Sequence, residues 1–252
     1  MSRRQRILTG AGAGMVILAL ALWGALNYLQ RPRYTPELRG HQIAQRLGCF
    51  GCHGPGGTGG VPNPGSDEKE IPAWDGGTAM MYVNSVDEVR EWILDGHPER
   101  LAEEHEHEHG PRDLPIAMPA FREVISEREL DDLVAYYRAV ARYPGIPDSV
   151  RAGYRVASAH GCFGCHGVGG LVGMPNPRSF KGYIPPWRGE DFSDLVRGEA
   201  ELRAWIRDGA IERLESNPAA RWFTGRQIVH MPAYRDLLTD EELEQVIAYI
   251  QW

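Results

Sequence analysis

Cys49-Phe50-Gly51-Cys52-His53 and Cys162-Phe163-Gly164-Cys165-His166 are the stretches of this 252-residue chain whose residue types and spacing suit cofactor chemistry. Together they use all four of its cysteines. Two thiols three positions apart can reach the two vinyl groups of a porphyrin, and the adjacent imidazole can reach its iron; C-x-x-C-H is the attachment signature of c-type haem. The sequence therefore predicts two covalently bound haem c groups, held by Cys49, Cys52, Cys162 and Cys165, with His53 and His166 as iron ligands. Two C-x-x-C pairs could instead share one zinc ion. A thioredoxin-like redox pair needs no following histidine and belongs to a βαβ pattern that this chain lacks.

The second signature lies 113 residues after the first, and the same offset superimposes many other residues without a gap. Gly40 falls on Gly153, Pro62-Asn63-Pro64 on Pro175-Asn176-Pro177, and Ile71-Pro72 on Ile184-Pro185. Trp74 falls on Trp187, Trp92 on Trp205, Met118-Pro119-Ala120 on Met231-Pro232-Ala233, and Ala135-Tyr136 on Ala248-Tyr249. A period this long is a whole small domain rather than a solenoid unit. Each cysteine pair then has its own partner elements nearby, which argues against one shared zinc.

A haem fixed by one histidine keeps an open axial position, and its occupant separates electron carriers from catalysts. Met118 and Met231 match at the repeat offset, and each precedes a proline that suits a rigid loop. Met80, Met81 and Met174 have no such partners. His97, His105, His107, His109, His160 and His230 each lack a repeat equivalent; His230, next to Met231, is the first alternative. The Glu104 to His109 run reads as a solvated polar loop. Pro62 or Pro64, and Pro175 or Pro177, are candidates to offer a carbonyl to the free Nδ1 of each histidine. Trp74 and Trp187 are candidates for indole hydrogen bonds to haem propionates, with Trp92 and Trp205 as core residues.

Several elements must position these groups. Arginines at 3, 4 and 6 precede an uncharged run from Ile7 to Leu29, 23 residues long and sufficient to cross a bilayer. Ala19-Leu20-Ala21 would suit a cleaved signal peptide, but the run continues past it to Tyr28, so a retained anchor is expected. Thr35-Pro36 reads as the cap and first residue of a helix to about Leu47, and its equivalent opens at Asp148 or Ser149 and runs to about His160. Gly- and Pro-rich loops follow each signature. Short helices are expected over Val86–Asp95 and Glu199–Asp208, and closing helices over about Ser126–Val140 and Thr239–Trp252.

The C-x-x-C-H segment, the Gly/Pro loop, the Met-Pro-Ala-Phe/Tyr segment and the Leu-x-x-Leu/Val-x-x-Tyr helix together resemble the class I cytochrome c fold, twice in tandem, from Thr35 to Trp252. The resemblance implies a mainly α chain, with one N-terminal transmembrane helix and linker (1–33) followed by two class I cytochrome c domains (34–146 and 147–252). It implies that first and last helices cross at Gly40 with Tyr136 and at Gly153 with Tyr249. It also implies axial ligation by His53 with Met118 and by His166 with Met231. The architecture is similar to dihaem subunits of haem-copper oxidases and to membrane-bound dihaem electron carriers.

The formal net charge of −7 is unevenly spread: five arginines and no acids up to Arg33, ten basic against twenty acidic groups over 34–146, and twelve against fourteen over 147–252. No basic patch recommends nucleic acid. The expectation is an electron-transfer protein rather than an enzyme, anchored in a bacterial cytoplasmic membrane by residues 7–29 with its haem domains on the periplasmic side. Its partners would be redox proteins, a membrane oxidoreductase complex and a basic soluble cytochrome drawn to the acids Glu103, Glu104, Glu106 and Glu108. A dihaem enzyme, peroxidase-like or thiosulfate-oxidising, is the competing class and needs one exchangeable axial ligand.

Overall fold

The computed structural model describes residues 3–66, 68–75, 81–101, 116–142 and 146–252, with side chains in the first helix from residue 12 onward. Met80, Glu103, the run from Glu104 to His109 and the segment from Pro111 to Pro115 lie outside the described residues. Helix α1 (Arg3–Gln30) contains an apolar stretch, Gly12–Gln30, of 19 residues with none buried. At 1.5 Å per residue it is about 28 Å long, close to the hydrocarbon thickness of a bilayer. Met15 is 68% exposed and Trp23 66%. An apolar surface on every side of a helix that protein leaves largely uncovered needs lipid or a partner to cover it.

The first repeat contains α2 (Pro36–Arg46), the single turn α3 (Phe50–His53), α4 (Val86–Asp95) and α5 (Glu127–Ala141). The second contains α6 (Asp148–Ala159), α7 (Phe163–His166), a two-stranded antiparallel ribbon of β1 (Met174–Pro175) and β2 (Tyr183–Ile184), and α8 (Glu190–Leu195). Then come α9 (Glu199–Asp208), α10 (Glu212–Glu215), α11 (Pro218–Thr224) and α12 (Asp240–Gln251). Local chemistry sets the helix starts. The Thr35 hydroxyl accepts from Leu38 N at 3.3 Å. Ser126 with Glu129, and Thr239 with Glu242, form capping boxes that satisfy otherwise orphaned N–H groups.

Within each repeat the first and last helices pack face to face, α2 on α5 and α6 on α12. The approach is so close that a Cβ at Gly40 would lie 2.0 Å from the Asp132 carbonyl oxygen and 2.7 Å from Tyr136 Cβ. At Gly153 the corresponding distances are 1.9 Å to the Gln245 oxygen and 2.8 Å to Tyr249 Cβ. The two glycine–tyrosine crossings thus stand where the resemblance implied. Arg39 adds a bidentate pair to the buried Asp132, at 2.7 and 2.6 Å. The second repeat has Ala152 and Gln245 at those positions.

The repeats also touch. Val172 and Tyr183 of the second belong to the buried core of the first. Arg142 lies over the Tyr154 ring at 4.8 Å. Thr35 and Glu37 meet Gly189 and Arg188, the ion pair being 3.6 Å.

The linker after α1 is fastened to the second repeat. Asp191, its side chain 4% exposed, accepts from Arg33 N and Nε at 2.8 Å each, from Tyr183 Oη at 2.7 Å and from Lys181 Nζ at 3.0 Å. Arg33 also pairs with Glu190 and Asp194. Burial by itself would raise the Asp191 carboxyl, but these donors outweigh it and hold the group below the usual carboxylate range. A depressed carboxyl stabilises the clamp at neutral pH, and that contribution fades only as pH falls through the depressed value.

Two outcomes are expected of this packing. Replacing Gly40 or Gly153 with alanine should force the crossing helices apart and cost about 1–3 kcal/mol, a drop of several degrees in the thermal unfolding of the affected domain by circular dichroism. Asp191→Asn should free the linker, so that tryptic cleavage after Arg33 accelerates by about ten-fold, equivalent to losing roughly 1.4 kcal/mol of docking; an unchanged cleavage rate would mean that the linker is held elsewhere.

Candidate functional site

Each C-x-x-C-H segment is one helical turn. His53 N donates to the Cys49 carbonyl at 2.9 Å, and His166 N to that of Cys162 at 3.0 Å. Residues three apart on such a turn share a face, so both thiols of each pair point to one side. The four cysteines are half-buried, and none forms a disulfide. Burial pushes Cys49 up to about 11 and raises Cys162 as well. Burial lowers both imidazoles, His166 to about 4, so they are neutral at physiological pH, the form that ligates a metal.

The carbonyl facing each histidine is not the one expected. His53 Nδ1 lies 2.8 Å from Pro72 O, and His166 Nδ1 lies 3.3 Å from Pro185 O. Pro64 instead offers its carbonyl to Lys69 Nζ at 3.4 Å, and Pro177 sits in the turn that Ser179 N closes on the Asn176 carbonyl. The cause is that each loop doubles back. Pro62 bridges to Glu70, and β1 pairs with β2, so the second limb of the hairpin brings Ile71-Pro72 or Ile184-Pro185 beside the imidazole. An Nδ1–H donated to a carbonyl orients the ring and leaves Nε2 free for a metal.

Trp74 and Trp187 follow in that limb. They are 8% and 9% exposed, and their rings lie 5.0 and 5.1 Å from those of His53 and His166. Each indole sits over a glycine in the left-handed region, Gly57 (φ +79°) or Gly170 (φ +77°), where a Cβ would meet the ring at 2.3 or 2.1 Å. Their rings touch the imidazole and the core tyrosines. Trp92 and Trp205 direct Nε1 to the carbonyls of Tyr82 and Leu195, at 3.3 and 3.5 Å.

In the second repeat these groups surround a cavity of about 560 Å³ whose lining includes Cys162, Cys165, His166, Trp187, Trp205 and Met231. That volume lies within the roughly 300–1,000 Å³ of cofactor sites. A mostly apolar cavity that joins two thiols, a neutral imidazole and a thioether fits a covalently attached haem with nitrogen and sulfur axial ligands. Met231 packs against the second core and Met118 against the first. His230 also borders the cavity but is exposed, with Nδ1 3.5 Å from Gln227 Nε2. Met81 is 70% exposed and Met174 43%. Leu26 and Leu29 of α1 reach the same cavity.

Sequence reasoning placed Tyr136 and Tyr249 at the helix crossings but not their hydroxyl bonds, and it assigned no role to Asn63 or Asn176. Tyr136 Oη donates to Gly56 O at 2.9 Å and Tyr249 Oη to Gly169 O at 3.0 Å, so the closing helix holds the turn that follows each histidine. Asn63 and Asn176, 4% and 3% exposed, reach from the hairpin to the loop before each methionine. Their recurrence within the duplicated Pro-Asn-Pro was the available signal.

The family described as cytochrome c oxidase, cbb3-type, subunit III matches the chain twice, over residues 36–136 and 148–250. No curated protein and no solved structure matches it. The chain belongs to that family, and with it to the haem c electron-transfer proteins.

Proposed function

We propose that this member of the cbb3-type subunit III family is a membrane-anchored dihaem cytochrome, passing single electrons between redox partners as a subunit of a respiratory membrane oxidase. Its domains would run over 34–146 and 147–252, on the periplasmic side of a bacterial cytoplasmic membrane. The observation that carries the reading is the duplicated constellation of two thiols, a carbonyl-oriented imidazole and a core-packed methionine.

When bound, haem c supplies one-electron iron chemistry. The chain would attach it through Cys49 and Cys52, and Cys162 and Cys165. His53 and His166 would supply the fifth ligands, with Pro72 and Pro185 fixing their tautomer. Met118 and Met231 would supply the sixth, a thioether that favours the reduced state and closes the site to small molecules. Trp74 and Trp187 would seal the histidine side against water.

The fold supports passage between the two sites, because the turn after His53 lies against the turn after His166; a Cβ at Gly56 would be 3.2 Å from Val168 Cγ2. It also supports a seat for the second domain near the bilayer, since the Asp191 clamp holds the linker against that domain. The acidic residues over 34–146 suit a basic soluble donor or acceptor for the first domain, by steering encounter rather than tightening the complex.

Intact mass after acid–acetone treatment should exceed the polypeptide by two haems, and an unmodified, zinc-containing chain would overturn the reading. Met118→Ala and Met231→Ala should each abolish one haem's sulfur-to-iron charge-transfer absorption, lower its potential and let the reduced protein bind carbon monoxide. Rapid carbon monoxide binding by the unaltered protein would favour the dihaem enzyme instead.

A further inference from the structure

The loops that present Met118 and Met231 are held alike on their downstream side and differently upstream. Downstream, Phe121 N donates to Ile93 O at 3.1 Å and Tyr234 N to Ile206 O at 3.0 Å. Arg122 pairs with Asp95, and Arg235 with Asp208. Gly96 and Gly209 abut the carbonyls of the two methionines.

Upstream, Asn176 uses its whole amide on the loop. Nδ2 donates to Val229 O at 2.8 Å, and Oδ1 accepts from Ile228 N at 3.2 Å and Val229 N at 2.9 Å. Asn63 makes the equivalent donation, to Ile116 O at 2.9 Å, but its Oδ1 is buried with no partner among the described residues. The sequence supplies a reason: Ile228 corresponds to Pro115, which has no N–H to give.

We propose that Asn63 and Asn176 are positioning residues for the sixth-ligand loops, and that they make the two haem sites unequal. Among the described residues Asn63 gives the loop before Met118 one bond, and Asn176 gives the loop before Met231 three; Met118 is thus the more readily displaced sulfur and Met231 the firmer. Both sites are closed at rest by their sulfur, and the first is then the one at which an exogenous haem ligand displaces it faster. This inference rests on the reading of Met118 and Met231 as ligands.

The probe is cyanide, added to the oxidised, detergent-solubilised full-length holoprotein, with loss of the sulfur-to-iron absorption followed in time. The expected course has two phases about ten-fold or more apart, since each 1.4 kcal/mol of loop opening is a factor of ten. Met118→Ala should remove the fast phase and Met231→Ala the slow one. Asn176→Ala should bring the slow phase to within a few-fold of the fast one, and Asn63→Ala should change the fast phase far less. A purely structural asparagine would lower thermal stability without moving these rates.

Equal phases in the unaltered protein, or a faster second domain, would overturn the inference, and that comparison stands even if Asn176→Ala fails to accumulate. If the methionine variants each remove a phase but Asn176→Ala leaves both rates unchanged, the positioning role fails and the ligand assignment stands. If neither methionine variant alters the absorption, the ligand reading itself is wrong.

Discussion

The approach of the first and last helix in each repeat, over a glycine with no room for a side chain, is the constraint on which the remaining geometry depends. Gly40 against the Asp132 carbonyl and Gly153 against that of Gln245 bring Tyr136 and Tyr249 down onto the turns after the histidines. Those turns receive Trp74 N and Trp187 N on the carbonyls of Gly57 and Gly170, at 2.7 Å each. The same limb places Pro72 and Pro185 beside the imidazoles. A helix-interior glycine costs about 1 kcal/mol relative to alanine; here it sets the distance from which the histidine side of each site is built.

Much of this was legible in the sequence because it is local or duplicated. Caps and periodicity located α2, α4, α5, α6, α9 and α12 to within a residue or two, and the repeat offset singled out the cysteine, histidine and methionine pairs. The partners of His53 and His166 were not legible, since they depend on a hairpin closed by turns with Lys69 and Arg178 at positive φ, and spacing alone does not show which proline faces the ring. The setting of Trp74 and Trp187 follows from the same fold-back. Helices α8, α10 and α11 were missed as well, being short segments of four to seven residues whose burial faces carry no clear period.

Duplication gives two similar sites, and the copies differ in the side chains that hold them. Asp191 gathers Arg33, Lys181 and Tyr183, whereas the repeat equivalent of Tyr183 is Glu70, so among the described residues it is the second repeat that holds the linker after α1. The first repeat has the bidentate Arg39–Asp132 pair between its crossing helices, and a proline where the second has a donor to its asparagine. On the proposed function, a second domain seated near the bilayer and a first domain with a more readily displaced sulfur would suit a relay that accepts electrons at one end and delivers them at the other.

Near-infrared magnetic circular dichroism of the fully oxidised protein tests the central claim most directly, because thioether and imidazole sixth ligands give separate charge-transfer bands on low-spin ferric haem. Histidine–methionine ligation at both sites should give the thioether band alone, with intensity for two haems per chain. A nitrogen-ligand band from either haem, or a high-spin signal from one, would contradict the account.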